Sequence, residues 1–141
     1  MKNLALACMC LAFSSQIFAQ GALKYARDDR PVDGLEVVLE LKPLASGRFD
    51  ATFTTTYFDR VEGELVTTTR LLAESLNCRF DEQMTVCERD DRPVDGPRFI
   101  LSVVQVDQIE GYTATFTTDT ASWLGSSHKV ENLAQGLKVI D

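Results

Sequence analysis

The chain has 141 residues, 14 basic against 21 acidic side chains and a formal net charge of −7. Its mean hydropathy is −0.07. An acidic chain without basic clusters lacks the first requirement for nucleic-acid binding, the neutralisation of phosphate. The length allows one domain with a real core.

In chain order, the first stretch reads as a targeting segment. Met1-Lys2-Asn3 is a short positive start, Leu4 to Phe18 is largely apolar, and Ala19 ends the run before Gln20-Gly21. Residues 1–19 therefore read as a secretory signal peptide cut after Ala19. A membrane anchor is disfavoured because Ser14, Ser15 and Gln16 interrupt a short run. A lipoprotein reading through Cys8 or Cys10 fails, since Ala5 stands where a large aliphatic residue belongs. The lone Lys2 and brief leader point to a bacterial protein, periplasmic or secreted. What remains, residues 20–141, is expected to be a single β domain of 122 residues with 13 basic and 21 acidic side chains.

Arg27 to Gly34 reads RDDRPVDG, and Arg89 to Gly96 repeats it without change. Each copy is followed by alternation with a period of two, the mark of a half-buried strand. After the first copy, Leu35, Val37, Leu39 and Leu41 fall on one face and Glu36, Glu40 and Lys42 on the other. Ala45-Ser46-Gly47 is a turn. Phe49, Ala51, Phe53, Thr55 and Tyr57 then share a face, Asp59 to Glu64 should turn, and ELVTTTRLL opens a third strand. Ala73 to Asn77 is either a helical turn or a kinked continuation.

The second pass keeps the order and the phase. Phe99, Leu101 and Val103 match Val37, Leu39 and Leu41; after an insertion near Ile109-Glu110, Tyr112, Ala114 and Phe116 match Phe49, Ala51 and Phe53. ENLAQGLKV lies over RLLAESLNC, with Leu137 on Leu76 and Val139 on Cys78. This is an internal duplication, with one unit at about 22–86 and the next at about 87–141.

Cys8 and Cys10 leave with the leader, so Cys78 and Cys87 are expected to form one disulfide across a hairpin turning at Glu82-Gln83, with Phe80 opposite Thr85. So short a loop adds only about 2.7 kcal/mol in the chain-entropy picture, so the bridge pins register more than it carries the fold. That hairpin has no continuous second copy. Its arms map to the two ends of the chain, so LKVI should pair antiparallel with ALKYA and set Tyr25 beside Val139. The predicted fold is all-β: a closed or nearly closed antiparallel barrel, or a two-sheet sandwich, with the terminal strands paired. A helical fold is disfavoured, since no long stretch shows a strong 3.6 period.

In the octapeptides, Pro31 and Pro93 fix φ while Gly34 and Gly96 permit positive φ. Arg27, Arg30, Arg89 and Arg92 are placed to pair with Asp28, Asp29, Asp33, Asp90, Asp91 and Asp95, so each copy reads as a corner held by Arg–Asp bonds. A calcium loop is the alternative; the spacing misses the alternating acidic pattern. We expect no cofactor, no metal and no catalytic constellation: His128 is the only histidine and lies in a Gly-Ser-rich stretch. Thr-x-Thr pairs read as ordinary strand faces. The copies diverge most at YFDRVEGELV against ASWLGSSHKV, where Trp123-Leu124 replaces Tyr57-Phe58. Trp123 and His128 mark a candidate contact loop there, or Trp123 caps the core.

In outline the chain is similar to the periplasmic inhibitors of lysozyme, whose loop reads Ser-Gly-x-x-Tyr. Here Ser46-Gly47 is followed by Asp50 in place of the Tyr, and no functional residue carries over. The expected function is that of a non-enzymatic periplasmic or secreted binding protein with a protein or envelope partner, acting through loops. An inhibitor of a basic hydrolase such as lysozyme is one alternative. A small-ligand barrel or carboxylate enzyme is another.

Overall fold

The computed structural model describes residues 21–30, 34–92 and 96–140. The expected leader, Pro31, Asp33, Pro93 and Asp95 lie outside the described residues. Eight strands follow in order: β1 (Leu23–Asp28), β2 (Leu35–Pro43), β3 (Phe49–Asp59), β4 (Glu64–Phe80), β5 (Met84–Asp90), β6 (Arg98–Gln105), β7 (Tyr112–Ser122) and β8 (Gly125–Ile140). Each bonds antiparallel to its chain neighbour, and β1 bonds to β8, so one sheet closes into a ring. The period-two phase explains both walls. Leu39, Leu41, Leu76, Leu101, Val103 and Leu137 point inward and are fully buried. The intervening Glu36, Glu40, Lys42, Asp50 and Thr52 make the outer wall polar, unlike a barrel that faces lipid. An eight-stranded ring is just wide enough to be filled by side chains, and this one is filled.

The duplication recurs as register. Tyr25 pairs with Leu39 as Cys87 pairs with Leu101. Leu39 pairs with Phe53 as Leu101 pairs with Phe116. The irregularities recur as well. Ala51 faces Ala73 and Thr52 faces Leu71, while Ala114 faces Ala134 and Thr115 faces Asn132, each with a shift in step. The extra residues on β4 and β8 are bulges that bend these two longest strands around the core. They break the alternation, so Leu72 and Ala73 are buried in succession. The ambiguous Ala73–Asn77 stretch is thus a kinked continuation of β4. Its pivot is Ser75 at φ 53°, and the matching pivot on β8 is Gly136 at φ 69°. Ser75 is held by its N–H donating to Asp50 Oδ1 at 2.9 Å.

Two narrow seams join the halves. At β4–β5, Cys78 faces Cys87 and Phe80 faces Thr85, with the disulfide formed. At β8–β1, Tyr25 faces Val139 and Ala26 faces Lys138, the pairing expected for the split hairpin. Four residue pairs make the first seam and three the second. Across the interior, the Tyr25 and Thr85 hydroxyls share a buried hydrogen bond of 2.9 Å. Burial also pushes the Tyr25 phenol up from its ordinary pKa.

Candidate functional site

Strand direction decides what shares an end. Odd-numbered strands finish, and even-numbered strands start, at the same end of the ring. Both octapeptides therefore lie there with both long hairpin tips, β3–β4 and β7–β8. The matching half is reached by a half-turn about the barrel axis, so the copies flank one mouth. Arg70 and Glu131 occupy equivalent places on β4 and β8, opposite the inward Phe53 and Phe116. They meet across the mouth at 2.9 Å, Arg70 Nη2 to Glu131 Oε1. A shallow depression there is lined by Leu72, Phe116, Thr118 and Lys129.

The described residues of each octapeptide are held by Arg–Asp bonds, as expected of a corner. In the first, Arg30 donates twice to Asp28, from Nε at 2.9 Å and from Nη2 at 3.0 Å, and also bonds Glu36. In the second, Arg92 donates to Asp90 from Nε and from Nη2, both at 2.9 Å. Bidentate pairing of this kind fixes both side chains in one plane. It holds the Asp90 carboxyl down at a pKa of about 2, through the Arg92 side chain first, then the Arg92 backbone N–H and the charge of Arg98. Asp28 is lowered by the equivalent bonds from Arg30. Arg89 donates from Nε to Asp91 Oδ2 at 2.8 Å. Arg27 approaches Asp29 as an ion pair at 2.7 Å, without hydrogen-bond alignment. The same two arginines reach the carbonyls of Gln135 and Glu74, one residue before the kinks at Gly136 and Ser75. The first Arg of each repeat thus ties its corner to the bulged strand next door, beyond the end of the seam pairing. Gly34 and Gly96 take the positive φ that the turn demands, at 106° and 143°.

The tips are where the halves part. The β3–β4 tip has a four-residue loop, 60–63, organised by Asp59, which accepts from the N–H groups of Val61 and Glu62 at 2.8 and 3.2 Å. Val61 is left 92% exposed, and Phe58 and Leu65, cross-strand partners, are more than half exposed. The β7–β8 tip is a two-residue loop, Trp123-Leu124, between Ser122 and Gly125. Trp123 is 92% exposed, so it does not cap the core. The register also corrects the expected exchange of Trp123-Leu124 for Tyr57-Phe58. Tyr57 has its counterpart at Thr120, within the strands, and Trp123-Leu124 stands in the place of the 60–63 loop. The likeness is of tip with tip, because the second loop is shorter.

Below the tips the outer faces also differ. Thr56 and Thr67 share a hydroxyl bond of 3.1 Å in the first half. Their counterparts Asp119 and His128 form a carboxylate–imidazole pair in the second. Arg98 pairs in register with Asp90 and Asp119 and donates to Glu88 at 2.8 Å. His128 thus belongs to a charged row that its position in LGSSHK did not reveal, since Asp119 is close to it only through the hairpin. Sequence reasoning also missed Phe58, Val61 and Leu65 as exposed apolar groups and Arg70–Glu131 as the mouth pair. The signal for the first three was the loop Gly63 with apolar neighbours, and for the last their equivalent positions in the repeat.

Among the described residues, no three His, Cys, Asp or Glu side chains gather as metal ligands, and no helix is long and apolar enough to cross a membrane. Comparison with family models, curated proteins and solved structures found no match.

Proposed function

We propose that this chain is an exported binding module that engages a macromolecule through the barrel end carrying both octapeptide corners and both hairpin tips. The observation that carries this reading is Trp123, almost wholly exposed with Leu124 at the apex of a hairpin. Large apolar side chains displayed on rigid strands act as contact anchors. The filled interior supports the reading, since it leaves function to the surface. The disulfide suits an oxidising compartment, which agrees with export to the periplasm or medium. The corners act as supports: Arg27, Arg30, Arg89 and Arg92 are each paired with an Asp of their own copy.

The acidic β3–β4 tip favours one second reading. Phe58, Val61 and Leu65 are interleaved with Asp59, Glu62 and Glu64, a surface suited to a basic hydrolase such as lysozyme. Two assays test these readings. Wild-type chain and the Trp123→Ser variant are compared for retention of envelope components; the first reading expects retention that the variant loses, and equal retention contradicts it. Lysozyme turnover at excess protein tests the second: a dose-dependent fall supports it and an unchanged rate removes it.

A further inference from the structure

We infer that the tip-bearing end is self-complementary and that a second copy of this chain docks on it, end to end. The inference rests on reading that end as the recognition surface and adds which partner it fits. The two tips are opposite in character. Around Phe58, Val61 and Leu65 stand Asp59, Glu62 and Glu64 with Arg60. Trp123 and Leu124 are flanked by Ser122, Gly125, Ser126 and Ser127, and the Asp119–His128 pair and then Lys129 follow down the hairpin. One tip is apolar and acidic; the other is apolar and bears no charged side chain from Ala121 to Ser127, with Lys129 further down its strand.

Symmetry makes this difference consequential. The tips lie at one end, on opposite sides of the barrel axis. A two-fold axis perpendicular to the barrel sets two copies end to end, each acidic tip against the other copy's Trp123 tip. The contact is isologous and closes on itself as a dimer. Had the copies kept identical tips, the same arrangement would press like charge on like. The divergence of YFDRVEGELV from ASWLGSSHKV is therefore what makes the end match itself. An anionic lipid surface is a poorer occupant because Asp59, Glu62 and Glu64 would be repelled from it. A basic foreign protein is poorer too, since it matches one tip and leaves Trp123 unused.

Trp123 is the sole tryptophan, so its emission reports burial of the tip. The test is sedimentation of chain 20–141 from about 1 µM to about 1 mM, a range that spans weak, small interfaces, with emission read on the same samples. The mass should rise from monomer to dimer while the emission shifts blue with the same midpoint. Trp123→Ser should weaken association about tenfold or more. Lys129→Glu should weaken it about fivefold, and mixing that variant with Glu62→Lys/Glu64→Lys should restore a mixed dimer. All these positions are solvent-facing, and circular dichroism checks that each variant folds. A monomer with red-shifted emission at every concentration overturns the inference. So does a dimer indifferent to the tip variants, or a blue shift seen only with phosphatidylglycerol vesicles or lysozyme. A monomer that still retains a partner through Trp123 removes the dimer and leaves the proposed function standing.

Discussion

The two halves of this barrel share their bulges, their arginine clamps and much of their core, and they part at their tips. Leu76 and Leu137, Ala51 and Ala114, the bulges on β4 and β8 and the arginine clamps onto Glu74 and Gln135 are held in common. A close-packed interior tolerates little change in volume, so both copies kept these core positions. The tips touch no core and were free to diverge, to Val61 in an acidic loop on one side and Trp123-Leu124 on the other. Core equivalence and tip difference together support the proposed role of the tips in recognition.

Four experiments probe how far the halves are alike, in descending order of size. Leu76→Ala and Leu137→Ala each remove a fully buried side chain at an equivalent bulge. Each should cost about 2–5 kcal/mol in urea unfolding, and the two losses should be alike; a tolerated change at one site means the halves are not equivalent. Next, Cys78→Ser/Cys87→Ser should lower stability by about 2–3 kcal/mol, since it reduces the locked seam to strand pairing like that at Tyr25–Val139. Denaturant midpoints of the oxidised chain and the variant measure this.

A smaller effect tests the kinks. Ser75 occupies the left-handed region where its counterpart is Gly136. Ser75→Gly should therefore gain about 1 kcal/mol, and Gly136→Ser should lose about as much. A Cβ at Gly136 meets only ordinary contacts at 3.6 Å, so its cost is backbone strain. The least effect is electrostatic. The folded pKa of Asp90 lies below its ordinary 3.8, so its contribution is present above that value and fades as pH falls through about 2. NMR titration of its carboxyl carbon should show that midpoint, and Arg92→Ala should return it toward 3.8.

Much of this was legible in the sequence, because alternation and repetition are local signals. The phase of Leu35–Leu41, the Cys78–Cys87 register and the pairing of Tyr25 with Val139 all follow from period two and the 62-residue echo. The β4 kink was not legible. A serine at positive φ carries no mark of its own; only Gly136 in the other copy hints at it. The charged row through Arg98, Asp119 and His128 was hidden for another reason: it lies across strands, and each member looks like a solvated residue in its own segment. Likewise, Trp123 next to Leu124 reads as a core cap before it reads as a contact, and only the two-residue loop shows it exposed.

The claim on which everything else stands is that the chain's ends complete the ring as a second, uncrosslinked version of the cysteine ribbon. The most direct measurement is oxidation of a Tyr25→Cys/Val139→Cys variant, followed by counting free thiols and mapping the linked peptides. A second disulfide joining residues 25 and 139 within one chain is expected, beside an intact Cys78–Cys87 bridge. Two reactive thiols persisting in a folded chain, or links formed only between chains, would contradict it.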